Sequence, residues 1–333
     1  MTRRAIKTAV MAICAALFVA LAGCEGQVPL VQPSASSSES PDLTQAQEKA
    51  IRLGILKAVD AADKAQNADG LDRVMSGPAL DVRTSQITIA KTTGSVDKMA
   101  NIPKETTQTV VPTDSGWPRL VYTITTTTQD QQSKRLLVLK QDDARSNYRL
   151  WGVVRLFQGA SLPKFAVPSI GSQAGTGEDK GLMATPSDAV ARYADVLQNG
   201  EKSRYASDFA DDYFRQALTQ LTATVQEGMV RNNGSQQQTF AASPDQISIM
   251  RSADGGDLVV ARIDSQWTRQ TGEGRESLPA NDDEKALFGD AKATSTLRVT
   301  YVNVVALYVP QAGAKQKITA VGAERQPVKV EAL

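Results

Sequence analysis

Tyrosine and aspartate side chains are concentrated between positions 193 and 213, and these residue types can serve in proton transfer or in ligand binding. An apolar stripe recurs there at every fourth position and predicts a helix over 203–225: Tyr205, Phe209, Tyr213, Ala217 and Leu221. On such a helix, Asp208 and Asp212 share one face. The pattern is also that of an ordinary amphipathic helix with a buried stripe and solvated carboxylates, and we favour this interpretation. The candidate ligand-binding residues are Tyr193, Tyr205, Asp208, Asp212 and Tyr213.

The composition excludes several kinds of chemistry. The chain has no histidine among its 333 residues, which removes Ser-His-Asp and Cys-His catalysis and every histidine-containing metal site. The acidic runs 254–257 and 281–284 lack the ligand spacing of a calcium-binding EF-hand loop, so we predict a turn and a helix start there. We expect no metal, no cofactor and no catalytic residue that the sequence alone can assign.

Three tryptophans could stack on a sugar ring. Trp151 and Trp267 alternate with apolar neighbours in predicted strands, which indicates core positions. Trp117 stands between Gly116 and Pro118, so it is the best candidate for an exposed ring, although we favour core packing even for this residue.

The charge balance gives no sign of a nucleic-acid partner. The formal net charge is +1, and loss of Arg3, Arg4 and Lys7 with a leader would make the remaining chain slightly acidic. A nucleic-acid binder is expected to be basic or to carry a basic stripe, and this chain shows neither.

Two segments rich in Ser, Pro or Gly divide the chain, and both read as flexible connections. The division predicts a leader at 1–23, a Ser/Pro-rich tether at 24–43, a first domain at 44–168, a linker at 169–183 and a second domain at 184–330. Each domain falls within the usual single-domain size range.

Both predicted domains begin with helical periodicity and continue as strands, so the fold class is α+β with two similar domains. The helices are expected behind Thr44, over 186–199 and over 203–225. The strands are expected over 86–90, 119–129, 134–141, 148–157, 246–251, 258–269, 294–309 and 316–323.

Helices followed by a curved antiparallel sheet resemble the cone-shaped fold of nuclear transport factor 2 (NTF2-like), and a cystatin-like pair fits almost as well. The resemblance implies a cone whose pocket could use Tyr and Asp, as in the ketosteroid isomerases. It also implies a use in tandem, as in exported bacterial lipoproteins. The Ala/Thr/Gln-rich, aromatic-poor composition is similar to that of actinobacterial lipoproteins.

The first residues resemble a lipoprotein signal peptide. Arg3, Arg4 and Lys7 precede an apolar run over 9–22, and Leu21-Ala22-Gly23-Cys24 matches a lipobox. The resemblance implies cleavage before Cys24, a diacylglyceryl thioether on that cysteine and an acylated, for example palmitoylated, amine. Because Lys7 occupies a position where twin-arginine signals prefer an apolar residue, we favour the general secretory route and keep the other open.

These observations predict a lipid-anchored protein on the extracytoplasmic face of the cell membrane, with a non-enzymatic binding or scaffolding role at the cell envelope. Its partner could be another envelope protein, a cell-wall polymer or a small apolar ligand. The alternative is an envelope enzyme that uses carboxylates and tyrosines as a hydrolase, isomerase or transferase.

Overall fold

A computed structural model describes residues 40–113, 116–127 and 133–333. In the first half, two helices precede four strands. The helices are α1 (Gln45–Ala65) and α2 (Gly77–Thr93), and the strands are β1 (Thr106–Val110), β2 (Arg119–Thr125), β3 (Arg135–Gln141) and β4 (Arg149–Arg155). The strands pair antiparallel in chain order.

Helix α1 begins where the sequence predicts. The Thr44 side chain accepts a hydrogen bond from the Gln47 backbone N–H at 3.2 Å, and the Gln47 side chain accepts from the Thr44 N–H at 2.9 Å. This reciprocal capping box satisfies two N–H groups that an α-helix leaves unpaired.

The predicted strand at 86–90 is wrong, because these residues lie inside α2. Ile87 is 1% exposed and packs against the first sheet, while α2 also packs against β4 and against two strands of the second half, Thr296–Val309 and Thr319–Ala332. A helix that is buried on more than one side can show a two-residue apolar alternation, and tertiary packing then overrides β propensity.

The second half repeats the plan with longer strands. It contains α3 (Pro186–Asn199), α4 (Tyr213–Arg231), β5 (Ser235–Arg251), β6 (Asp257–Gln270), a short α5 (Asp282–Phe288), β7 (Thr296–Val309) and β8 (Thr319–Ala332). The four strands again pair antiparallel in chain order. The α+β class is therefore confirmed.

Helix α4 begins ten residues later than predicted. Residues 206–208 form a 3₁₀ turn, and Asp212 is the N-cap, with its side chain accepting from the Arg215 N–H at 2.9 Å. A capping aspartate has non-helical backbone angles, so one continuous helix over 203–225 is excluded.

The elements form four layers, with the two sheets packed face to face and helices on both outer sides. Leu120, Tyr122 and Val138 of the first sheet share one core with Met250, Val260 and Val304 of the second. On the outer faces, α1 and α2 cover the first sheet, and α3 with part of α4 covers the second.

Two contacts close the joint between the sheets. The Tyr122 hydroxyl donates to the Ser248 hydroxyl at 3.0 Å, and the backbone of Leu156 bridges Gly322 on β8. A Cβ added at Gly322 would lie 2.6 Å from the Arg155 carbonyl oxygen, so this close approach of β4 and β8 requires glycine.

Segment 169–183 is hydrogen-bonded to both halves. The Thr113 N–H donates to the Ser172 carbonyl, the Gly175 N–H to the Ile249 carbonyl and the Met183 N–H to the Pro310 carbonyl, each at 3.0 Å. The division into domains at 44–168 and 184–330 stays a prediction.

Candidate functional site

The structure brings Tyr193 and Asp212 together at the base of α3 and α4. Tyr193 is fully buried and its ring packs 5.4 Å from the ring of Phe209. Burial, and then the neighbouring Asp212, raise the pKa of Tyr193 well above its usual value. Burial likewise raises the pKa of Asp212, although the Arg215 N–H and the Tyr193 hydroxyl act in the opposite direction. Tyr193 and Asp212 thus lie together where α4 begins.

Tyr205 and Asp208 lie apart from that pair, on the loop before α4. The Arg192 guanidinium is 3.5 Å from the Asp208 carboxylate and lies 5.2 Å above the centre of the Tyr205 ring. The shared helical face expected for Asp208 and Asp212 is therefore wrong, because neither residue is inside a helix of the predicted length.

Tyr213, Ala217 and Leu221 do lie at helical spacing, but the expected burial of this stripe is wrong. Tyr213 is 61% exposed and Leu221 is 44% exposed, whereas the residues that α4 buries are Phe214 and Leu218. The helix begins at Tyr213 rather than at Ser203, and the side that faces the core carries Phe214 and Leu218.

Tyr213 borders a cavity of about 410 Å³, which we call the Tyr213 pocket. Its walls include Leu156, Phe157, Tyr213, Phe214, Ala217 and Arg325. The Tyr213 and Phe157 rings meet edge to face at 5.8 Å, which joins α4 to the chain leaving β4. The pocket thus combines aromatic walls from both halves.

On the other side of α4, a polar groove of about 750 Å³ separates this helix from α3 and β5. Glutamine side chains cross it: Gln236 donates to the Thr222 carbonyl and Gln238 to the Thr222 hydroxyl, both at 2.8 Å. The second half of α4 is therefore attached to the sheet by amide bridges as well as by limited apolar packing.

Sequence reasoning missed a carboxylate pair formed by Asp179 and Asp257. Asp257 is 3% exposed, and burial, followed by the nearby Asp179 charge, raises its pKa to about 7. Arg251 donates to both oxygens of Asp179 at 2.8 Å, which fixes the segment before α3 on the second sheet. The available signal was an aspartate directly before the apolar run 258–261.

Two of the three tryptophans are buried as the sequence predicts. Trp151 and Trp267 are 3% and 2% exposed, so their core positions are confirmed. Trp117 is 41% exposed, with the Arg119 guanidinium 4.5 Å above its ring, so the core packing favoured for it is wrong. The stacked arginine already occupies one face of the indole.

The acidic runs behave as turns and caps. Residues 252–256 connect β5 to β6, and the Asn281 side chain accepts from the Glu284 N–H at 2.9 Å as the N-cap of α5. Within 40–113, 116–127 and 133–333, no group of three or more His, Cys, Asp or Glu is placed to bind a metal ion. Across the same ranges, no helix has the length and apolar character to cross a membrane. Cys24 and the leader lie outside the described residues.

The fold and the cavities define an α+β protein with two four-stranded antiparallel sheets and recessed surfaces around α4. A family model described as a domain of unknown function, DUF8094, matches residues 40–329, and the chain belongs to this family. No curated protein and no solved structure matches the chain.

Proposed function

We propose that this protein is a lipoprotein anchored through Cys24 to the extracytoplasmic face of the cell membrane, and that its folded part binds a small apolar ligand without catalysing a reaction. The observation that carries the binding role is the exposed apolar stripe of α4 beside the Tyr213 pocket. Large apolar side chains left exposed next to a cavity are typical of ligand or partner sites.

The size and walls of the Tyr213 pocket support this role. A volume of about 410 Å³ falls within the range of small-molecule sites, and Phe157 and Phe214 supply aromatic walls. A membrane-anchored protein would meet apolar molecules close to the lipid surface, which agrees with the proposed anchor.

The finer fold assignment, two NTF2-like or cystatin-like cones, belongs to this proposal. It is supported by helices that cover one face of a four-stranded meander in each half. The interior beneath α3 is filled, since Tyr193, Ala261 and Val305 are each 0% exposed. We therefore place the ligand beside α4 and not inside the second cone.

The carboxylate enzyme remains a second candidate because of the Asp179 and Asp257 pair. A carboxyl group with a pKa of about 7 beside an ionised carboxylate is the pattern of an acid and base pair. Arg251 occupies both Asp179 oxygens, however, which favours a structural role. An Asp257→Asn protein that keeps ligand binding and gains stability would support the structural interpretation.

The anchor is tested by replacing its acceptor. Cys24→Ser is expected to move the protein from the membrane fraction to the soluble fraction when cells are lysed without detergent. Retention of the variant in membranes, with release only by detergent, would contradict the proposed lipid anchor.

The pocket is tested with dodecan-1-ol on the full chain carrying Cys24→Ser, so that no detergent competes. Ala217→Trp places an indole in the Tyr213 pocket and is expected to weaken binding at least about tenfold in calorimetry. Ala223→Trp is the matched control, because Ala223 lies on the same helix but lines the polar groove. Equal weakening by both variants, or no binding to the parent protein, would contradict the proposal.

A further inference from the structure

One wall of the Tyr213 pocket carries a charge that the protein does not pair. Arg325 lies on β8 and lines the pocket with Phe157, Phe214 and Ala217. Its Nε, Nη1 and Nη2 atoms are all shielded from solvent, and none has a hydrogen-bond partner among the described residues. Burying all three nitrogens of an arginine without hydrogen-bond partners lowers the stability of the folded protein.

The nearby acidic groups are already engaged. Arg155 donates to Glu324, with Nη2 to Oε1 at 3.0 Å and Nε to Oε2 at 3.3 Å. Glu284 accepts from the Arg269 guanidinium, from the Ala280 N–H at 2.7 Å and from the Tyr301 hydroxyl at 3.4 Å. The pocket is left with one positive charge in excess.

Aromatic rings hold the Arg325 guanidinium in place. Its central carbon lies 3.9 Å from the centre of the Tyr301 ring and 5.7 Å from that of Trp267. Stacking on a ring stabilises the cation through its face and leaves the N–H groups at its edge. Burial lowers the pKa of Arg325, but a guanidinium remains protonated in proteins.

The edge of a guanidinium presents two parallel N–H groups, and these match the two oxygens of a carboxylate. The pocket also has an apolar part, formed by Phe157, Phe214 and Ala217, next to the polar side chains of Ser133, Arg155 and Gln158. A ligand that fills the apolar part needs an apolar portion of its own. The ligand chemistry that satisfies both features is an anionic amphiphile with a carboxylate head.

The volume of the pocket suits an amphiphile with a single chain. At about 30 Å³ per non-hydrogen atom, the share of one water molecule in the liquid, the cavity of about 410 Å³ holds roughly 14 such atoms. This is the size of a carboxylate with a chain of about twelve carbons.

Helix α4, which forms one wall of the pocket, buries few side chains for its length. Over its 19 residues, α4 buries Phe214 and Leu218. Both residues lie in its first two turns, and Val225 of the later turns packs beside Trp267 and Tyr301. An outward shift of these later turns would open the way to Arg325 while the sheet stays in place.

We propose that the Tyr213 pocket selects single-chain carboxylates, with the Arg325 guanidinium binding the acid group and with Phe157, Phe214 and Ala217 contacting the chain. This inference rests on the proposed ligand-binding function and names the class of ligand. A carboxylate pairs the excess charge, whereas an alcohol of the same length leaves it unpaired.

The test compares dodecanoate, dodecan-1-ol and dodecyltrimethylammonium, each below its micelle concentration, on the full chain carrying Cys24→Ser. Calorimetry is expected to show dodecanoate binding at least about tenfold more tightly than the alcohol, and the cation most weakly. Arg325→Met should abolish the preference for the acid. Arg149→Met, at the distant end of β4, should keep the preference.

The outcomes separate the two proposals. If the alcohol binds and the acid binds no better, or if Arg325→Met keeps the preference, the selection by Arg325 is wrong while the binding pocket stands. If neither compound binds, the proposed function itself fails. The comparison of three ligands on the parent protein decides the matter even if Arg325→Met does not fold.

Discussion

Helices α1 and α4 have similar lengths, 21 and 19 residues, and each precedes a four-stranded meander, but they cover their sheets differently. Helix α1 buries Ile55, Leu56 and Val59, each 5% exposed or less. Helix α4 buries Phe214 and Leu218, leaves Tyr213 and Leu221 exposed, and is bridged to β5 by glutamines. Helix α1 is closed onto its sheet, whereas α4 leaves space on both of its sides.

This difference explains why the cavities of interest flank α4. A helix that is held at one end by two apolar side chains can have a pocket on one side and a groove on the other without exposing the sheet core. The excess charge of Arg325 lies on the same side as the Tyr213 pocket. The two halves therefore share a plan, and the difference between α1 and α4 explains why the Tyr213 pocket lies beside the second of these helices.

The largest expected effect comes from a matched pair of leucine truncations. Leu56→Ala should lower the free energy of unfolding by about 2–5 kcal/mol, because it leaves a cavity under α1. Leu221→Ala should change it by less than about 0.5 kcal/mol, because Leu221 packs little in the free protein. Denaturant unfolding measures both, and similar losses would break the comparison.

The next largest change in stability is expected for a substitution at the contact between the two halves. Gly322→Ala is expected to cost about 1–3 kcal/mol, since its Cβ would lie 2.6 Å from the Arg155 carbonyl oxygen. Gly54→Ala, in the exposed middle of α1 with nothing within 4 Å of the added carbon, should instead stabilise by about 0.5–1 kcal/mol. A harmless Gly322→Ala would show that the sheets can separate at this edge.

The smallest expected effects concern the pH dependence of stability, which should have opposite signs for Asp257 in the second half and Asp142 in the first. In Asp257, the pKa is raised from 3.8 to about 7 by burial and then by Asp179, so the folded protein keeps a proton that the unfolded chain has released. Stability should therefore fall as pH rises from about 4 to about 7. Asp257→Asn should remove this fall and stabilise the protein by about 1–2 kcal/mol at pH 8.

The contribution of Asp142, in the first half, to the pH dependence of stability should have the opposite sign. Burial opposes the change, but Lys140 at 3.1 Å and Arg149 at 2.6 Å outweigh it and lower the pKa of Asp142. Its contribution is present above pH 4 and is lost as pH falls below that value. Because Asp142 is 38% exposed, Asp142→Asn should cost less than about 1 kcal/mol at pH 7. Thermal unfolding across pH checks both variants.

Local sequence patterns were sufficient to predict most of the helices and strands. The β-branched runs of β2 to β4, β6 and β7 and the cap at Thr44 predicted elements near their observed positions. The strands predicted over 246–251 and 316–323 are only parts of β5 (Ser235–Arg251) and β8 (Thr319–Ala332). Strand β1 was missed because Thr106–Val110 is largely polar and gains its place by pairing with β2. Helix α2 was missed because Ile87 and Ile89 alternate as in a strand.

The site was harder to predict than the fold. The spacing of Tyr213, Ala217 and Leu221 shows that they share a helix face. Whether that face is buried depends on which residues, distant in the sequence, pack against it. The partners of Arg325 come from β4, β7 and α4, and no local signal brings them together. Tyr193 and Asp212, two of the candidate residues, lie side by side, although the helix expected to join Asp208 and Asp212 does not exist.

The most direct test of the central claim, that the ligand binds beside α4 in the second half, is hydrogen exchange measured with and without dodecanoate. We expect slower exchange in residues 213–221 and 156–158, and no change in α1 or α2. Protection confined to the first half, or no protection around α4 under saturating ligand, would contradict the account.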